Sequence, residues 1–453
     1  MGQRLRCSGM VANRKEDHVR TYRMLIGLAA VLVAAVGQAQ TQLNIATVNN
    51  SDMIIMQKLA KEFEAAHPDI KLNWVVLEEN VLRERVTTDI ATKGGSFDVL
   101  TIGTYEAPIW GKRGWLVAFD DLPASYDVDG LIKPIRDGLS ANGKLYALPF
   151  YGESSFTFYR KDLFDKIGAE APKTYAELDK ILPKLKAAAP DVFPLCLRGK
   201  PGWGENMAYF DTLVNTMGGR WFDMKWKPQL TSPAWKKALT WYVDNMRKYG
   251  PPGATANGHN ENRALFATGK CAIWFDATSA AGYISNPANS QVADKVAYAV
   301  APIGTVPNGA QWLWSWALGI PASTKHVAEA KAFVEWATSK EYIQLVAKSE
   351  SWTSVPPGTR TWTYEQPEYQ AAAPFAKLTL QAIQQADPIH SSAEPIPYTG
   401  VQFVGIPEFQ AIGTYVGQQV AAALAGKMSV DQALKESQTF VERTMTKAGY
   451  SKR

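Results

Sequence analysis

YALPFYGESSFTFYRKDLF, residues Tyr146 to Phe164, is the stretch on which the fold turns. Apolar and aromatic residues run on either side of a Gly-Glu-Ser-Ser interruption, and Phe156 to Tyr159 has strand character before a charged helix start at Lys161 and Asp162. A run of this kind suits a connecting strand, buried on both faces, that leaves one globular unit and enters another. Tyr151 and Glu153 then sit in a crevice between two lobes.

The chain is long enough to require that division. At 453 residues it exceeds what one compact core accommodates, and 46% hydrophobic with 20% charged residues is a globular composition. Arg14, Lys15, Arg20 and Arg23 precede the apolar run Met24 to Val36, followed by Gly37-Gln38-Ala39. This reads as an export leader, residues 1–39, cleaved after Ala39, with Met10 an alternative start, and the apolar run is too short to span a bilayer. The leader holds six of the 48 Lys/Arg and two of the 43 Asp/Glu, so the remainder is nearly balanced. That balance, without a basic stripe, excludes a nucleic-acid partner. No cysteine follows the apolar run to take a lipid, and Cys196 and Cys271 are either a disulfide or two buried thiols.

From Leu43 the pattern alternates strand and helix. LNIATV is β-rich; Asn49-Asn50-Ser51-Asp52 supplies a cap; Ile55, Leu59, Phe63 and Ala66 repeat at helical spacing up to His67-Pro68. Ile70, Leu72, Trp74 and Val76 alternate as a strand, Val81 to Lys93 reads as a helix ended by Gly94-Gly95, and Phe97 to Ile102 as a third strand. Helical crossovers imply a parallel sheet, with ligands beyond its carboxyl ends. The loops Asn49 to Asp52 and Gly103 to Glu106 lie there, with plain helix capping the alternative role for Asn50 and Asp52.

Further on, FPLCLR is a strand ending at Arg198 in the loop GKPGWGEN, which carries Trp203 and lacks the GK[ST] of a nucleotide site. GKCAIWFDAT is strand-like and ends at Trp274 to Asp276. In QWLWSWALGIP, Trp312, Trp314 and Trp316 alternate on one strand face; a core stripe is the plainer reading, while Gln311, Ser315 and Gly319 leave room for a wetter one. Trp352, Arg360 and Trp362 follow in a Pro- and Gly-rich loop. The last hundred residues are helical: Ala328–Ala337, Tyr342–Lys348, Tyr369–Ala386, Phe409–Ala425 and Val430–Lys447.

Taken in order, these segments resemble the periplasmic solute-binding proteins of ABC importers, in the family with maltose- and polyol-binding members. The resemblance is carried by QLNIATVNNSDMIIMQKLAKEFEAAHPDIKLNW, FDVLTIGTYEAPIWGKRGWLVAFDD, YALPFYGESSFTFYRKDLF, PKTYAELDKIL, ATGKCAIWF and LGIPASTKHVAEAKAFVEWATSKEY. Arg160 departs from the Asn or Asp frequent after the crossover tyrosine, which bears on a local hydrogen bond and not on the fold. The resemblance implies an α/β protein of two lobes, residues 40–152 plus 301–357 and 153–300 plus 358–453, hinged by crossing strands around a sugar-class ligand. It is most similar to the sorbitol/mannitol branch, with a mono- or oligosaccharide as the alternative cargo. It also implies a periplasmic monomer that delivers solute to membrane permease subunits, with no cofactor and no metal.

A polyol presents hydroxyls that are each donor and acceptor, and burying them unpaired is costly. Asn49, Asp52, Glu106, Glu153, Arg198, Asp276 and Arg360, all near expected loop ends, could pair them. Tyr105, Tyr151, Trp203, Trp274 and Trp314 could cover the C–H edge. On this reading Asp276→Ala or Arg198→Ala weakens sorbitol binding at least about tenfold without unfolding the protein. The rival class is an exported glycosidase using Glu153 and Asp276 as paired acids. The histidines His67, His259, His326 and His390 have no metal-ligand spacing, and no G-x-S-x-G is present.

Overall fold

The computed structural model describes residues 40–450, so the expected leader and Cys7 lie outside the described residues. Eleven strands are described: β1 (Thr41–Val48), β2 (Ile70–Leu77), β3 (Val99–Gly103), β4 (Ser140–Ala141), β5 (Lys144–Leu145), β6 (Leu148–Glu153), β7 (Ser155–Arg160), β8 (Phe193–Cys196), β9 (Cys271–Ala277), β10 (Val296–Val300) and β11 (Trp314–Gly319). They form a five-stranded sheet ordered β2-β1-β3-β11-β6, a four-stranded sheet ordered β10-β7-β9-β8, and the β4–β5 hairpin.

The first sheet follows from the alternation at its start. β1 and β2 pair in parallel from Thr41↔Ile70 to Val48↔Leu77, and the helix Ser51–Ala66 makes the crossover. Asn50 caps that helix by accepting the Met53 N–H at 3.1 Å, and its buried face is Met53, Met56, Leu59, Ala60 and Phe63. The next helix, Glu79–Thr92, ends one residue short of the expected Lys93, because Lys93 itself takes the left-handed conformation at φ 55°.

The stretch 146–164 is the crossing. β6 closes the first sheet against β11, and after the single residue Ser154 the chain enters β7 in the middle of the second sheet. Ser154 is fully buried, with its N–H on the Thr278 hydroxyl (3.1 Å) and its carbonyl accepting the Thr278 N–H (2.8 Å). Beside it, Gly152 and Gly358 touch backbone to backbone. A Cβ on Gly152 would stand 2.4 Å from the Gly358 carbonyl oxygen, and Gly358 has φ +72°, so neither position takes a side chain without displacing the other segment.

In the second sheet, Cys196 and Cys271 are joined by a disulfide that ties β8 to β9, so they are not two separate buried thiols. One helix expectation is corrected: Tyr369–Ala386 is not continuous but divides into Pro367–Ala372 and Ala376–Gln385. Pro374 lacks the N–H a through-going helix needs. Among the described residues no helix is long and apolar enough to cross a membrane.

Candidate functional site

A cavity of about 320 Å³ lies between the two sheets, at the low end of the roughly 300–1,000 Å³ of small-molecule pockets. Its wall is drawn from the ends of β1, β2, β6 and β9, from the 198–205 loop after β8, and from β11. Convergence at strand ends is the geometry that alternating strand and helix imposes.

On the side of the second sheet, Arg198 organises the wall. Its Nε and Nη2 donate to the two Asp276 oxygens at 2.9 and 2.6 Å, and Nη1 donates to the Gly204 carbonyl at 2.7 Å. Asp276 also accepts from His259 Nδ1 (2.8 Å), Trp274 Nε1 (3.0 Å) and the Ala277 N–H (2.7 Å). Burial alone would raise this carboxyl; the Arg198 charge and the hydrogen bonds from Arg198 and His259 outweigh it and hold Asp276 well below the usual carboxylate range. With Asp276 ionised, the His259 proton resides on Nδ1. Burial lowers the His259 pKa, so the imidazole is neutral and its Nε2 is an acceptor at the cavity wall.

On the side of the first sheet, the corresponding cation is Arg83. Its Nε and Nη2 donate to Glu79 Oε1 at 3.0 and 2.9 Å, and Nη1 to Glu106 Oε1 at 2.7 Å. Glu106 is itself fixed by the Gly103 N–H at 2.9 Å. The guanidinium carbon lies 3.9, 5.0 and 4.6 Å from the ring centres of Trp203, Trp314 and Trp316.

Two further carboxyls face the cavity and are perturbed by it. Burial pushes Glu153 up to about 8, against the relief of the Ser279 hydroxyl and Arg198; the Ser279 bond is 2.5 Å. Burial and the nearby Glu79 charge push Glu205 up to about 7, although Lys200 stands 3.5 Å away and the His259 N–H donates to it at 3.2 Å. Asn50 Nδ2 donates to the Tyr151 hydroxyl at 2.6 Å. Trp312 Nε1 and Asn260 Oδ1, both on wall residues, have no hydrogen-bond partner among the described residues.

Of the residues expected from sequence, Asn49, Tyr151, Glu153, Arg198, Trp203 and Trp314 line the cavity. The others stand elsewhere. Asp52 faces a small neighbouring cavity of about 40 Å³ with Ser279 and Thr353. Tyr105 lies behind Trp203, ring centres 4.9 Å apart, with its hydroxyl donating to the Ile406 carbonyl and accepting the Gln410 N–H. Glu106 supports Arg83 from behind. Trp274 stacks on Phe158 at 4.6 Å, and Asp276 is fully buried beneath Arg198. Arg360 is remote, its donors engaged by the carbonyls of Thr338 and Asp127 and its guanidinium over Tyr126. The tryptophan stripe satisfies both sequence readings, since Trp312, Trp314 and Trp316 are buried and also line the cavity.

Sequence reasoning missed Arg83, Glu79, Glu205 and His259. Glu79 and Arg83 have the i, i+4 spacing of an ordinary surface pair, and His259 was weighed only as a metal ligand. The available signal was the GWGEN loop itself, where Gly204 leaves room for Glu79: a Cβ there would stand 2.0 Å from Glu79 Oε1.

Two α/β units around a polar cavity, joined by crossing strands, make this a two-lobed solute-binding protein with the fold of the maltose-binding proteins. The chain belongs to the bacterial extracellular solute-binding protein family, which matches residues 49–344. It is 53% identical over 429 residues, 94% of this chain and 98% of the relative, to the mannitol-binding protein of Pseudomonas aeruginosa PAO1. An ABC transporter solute-binding protein of Agrobacterium vitis S4, solved with bound D-mannitol, is 56% identical with a TM-score of 0.89, covering 90% of this chain and 99% of that one. The ribitol complex of a solute-binding protein from Agrobacterium radiobacter K84 matches at 25% identity and TM-score 0.78, covering 89% and 98%.

Proposed function

We propose that this chain is the solute-binding component of an ABC importer, working outside the cytoplasmic membrane as a monomer. Its cavity captures a sugar alcohol, with D-mannitol the first candidate, and hands it unchanged to permease subunits. The observation that carries the reading is the wall itself: each guanidinium is neutralised from behind by carboxylates yet keeps unused N–H groups, with carboxyls and an imidazole acceptor around it. Such a wall pairs hydroxyls at many positions, which is what a buried polyol requires. The mannitol-bound relative supports the same ligand class.

Capture works by population shift between open and closed forms of the two lobes, divided as 40–152 plus 301–357 and 153–300 plus 358–453. Contacts that span the cleft support the closed form as the one described: Lys200 to Glu78 (2.5 Å), Asn80 Nδ2 to the Pro201 carbonyl (3.3 Å) and Asn260 Nδ2 to the Asn49 carbonyl (3.1 Å). Micromolar affinity corresponds to about 8 kcal/mol, within reach of a few charge-assisted hydrogen bonds after association costs. Asp276 is engaged by Arg198 and His259 and does not line the cavity, so no paired-acid arrangement with Glu153 recommends glycoside hydrolysis. Calorimetry and thermal shift against mannitol, sorbitol, arabitol, xylitol, glucose and maltose, with small-angle scattering on the best binder, test the proposal. Binding of a sugar alcohol with compaction supports it; no polyol bound, no compaction, or turnover of a chromogenic glycoside counts against it.

A further inference from the structure

Within the proposed polyol site, one residue decides between an open-chain and a ring-closed solute. We infer that Arg83 is the specificity-determining residue: by occupying the space against the Trp203, Trp314 and Trp316 rings, it withholds the flat aromatic surface on which a pyranose would stack and leaves a wall that recognises an acyclic polyol through hydrogen bonds.

A pyranose offers a flat C–H face that packs on an aromatic ring, whereas an extended polyol offers no such face and is held through its hydroxyls. Three of the cavity's indoles have the Arg83 guanidinium over them, at 3.9, 5.0 and 4.6 Å. The fourth, Trp312, has the Arg198 guanidinium at 5.6 Å. Trp314 is closed from another side by Gly103, whose position leaves no room for a Cβ: one built there would stand 2.1 Å from the Trp314 ring. Trp203 is packed by Tyr105 and Phe409, ring centres 4.9 and 5.8 Å away.

Arg83 is also held where it lies. Glu79 fixes two of its nitrogens and Glu106 a third, and both Arg83 and Glu106 are almost wholly buried. A guanidinium carries five N–H groups, so after these three bonds two remain for solute hydroxyls. The planar group therefore covers indole surface and offers donors at once. A lysine ammonium would keep the charge against Glu79 and Glu106 but is a compact point charge that leaves part of the space against the rings open.

The test compares D-mannitol with D-mannose, its ring-closed counterpart of equal carbon number, by calorimetry on wild type, Arg83→Lys and Arg83→Met. Wild type is expected to favour mannitol at least a hundredfold, and each variant to narrow that ratio at least tenfold while weakening mannitol binding. Arg83→Lys keeps the question decidable if Arg83→Met, which strands two buried carboxylates, does not fold. A variant that retains the full wild-type ratio overturns the inference and leaves the polyol reading standing. Wild type that binds mannose as well as mannitol overturns it too. Wild type that binds no polyol instead overturns the functional reading on which it rests.

Discussion

Replacing Asp276 by alanine tests whether this residue is a ligand contact, as its loop-end position in the sequence implies, or the foundation under one. The carboxylate is fully buried and accepts from Arg198, His259, Trp274 and the Ala277 N–H at 2.6 to 3.0 Å. Removing it leaves the Arg198 charge buried without its partner, which costs about 3–5 kcal/mol, and leaves the Trp274 N–H unpaired at about 1–3 kcal/mol. Domains are stable by only about 5–15 kcal/mol, so the substitution consumes a large part of the margin. The sequence-based expectation of lost binding with an intact fold is therefore revised: Asp276→Ala is expected to lower the urea unfolding midpoint markedly, read by tryptophan fluorescence. The double variant Arg198→Met/Asp276→Leu removes both charges and should recover most of the stability, because a buried pair exchanged for apolar side chains is close to neutral. It should still bind mannitol at least tenfold more weakly, having lost the Arg198 donors. An Asp276→Ala protein within about 1 kcal/mol of wild type, or a double variant no more stable than the single, would refute the reasoning.

Mannitol affinity is expected to fall by at least about tenfold from pH 6 to pH 9, since each unit of pKa shift between the open and closed forms is worth about tenfold. In the closed form Glu153 is raised to about 8 and Glu205 to about 7 from an ordinary 4.5, so the closed form binds more protons than a hydrated open one. Closure is then fully favoured below pH 4.5 and loses that advantage as pH rises through 8. Calorimetry in buffers of different ionisation heat should register proton uptake at pH 7, and Glu153→Gln should flatten the profile; a flat wild-type profile would count against it. Cys196→Ala/Cys271→Ala opens a loop with a sequence separation of 75, for which chain entropy gives a loss of about 4–5 kcal/mol, measured by denaturation with thiol counting. Arg360→Ala leaves the Thr338 and Asp127 carbonyls without their donor and should cost about 2–4 kcal/mol of stability with affinity within about twofold of wild type, the reverse of a ligand contact.

What the sequence made legible was whatever depends on short-range pattern. The parallel β1–β2 pair, the Asn50 cap, the chain crossing at 146–164 and the placement of Arg198 after a strand all follow from periodicity and local chemistry. What it hid depends on which side of a long-range contact a residue occupies. Arg198 and Asp276 both stand near strand ends, yet one faces the cavity and the other lies underneath, a distinction created by the β8–β9 pairing and the Trp274 and His259 donors. Arg360 reads as a loop cation and proves to be a staple because the 126–131 segment wraps past it. Arg83 reads as half of a helix surface pair and proves buried because Trp203, from the opposite side of the cleft, lies on it.

That last contact bears on how solute and closure are coupled. Arg83 and Trp203 are carried by different sheets' surroundings, as are Glu79 and Gly204, so shutting the cleft is what removes water from the two guanidiniums. Arg83 keeps two of its five N–H groups without a protein partner, Arg198, whose Nη2 also stands 3.4 Å from His259 Nδ1, keeps at least one, and Trp312 Nε1 has no partner among the described residues. An empty closed cavity strands those donors, at about 1–3 kcal/mol for each one that ordered water does not serve. A solute dense in hydroxyls supplies the missing acceptors and so favours the shut form; an apolar molecule of the same size fills the space and leaves the penalty in place. The coupling therefore resides in donors that the protein's own carboxylates do not satisfy. Removing one of them by Trp312→Phe, which deletes the unpaired N–H, should raise the closed fraction of the ligand-free protein in scattering while weakening the response to mannitol; an unchanged closed fraction would mean that closure is driven by something other than these groups.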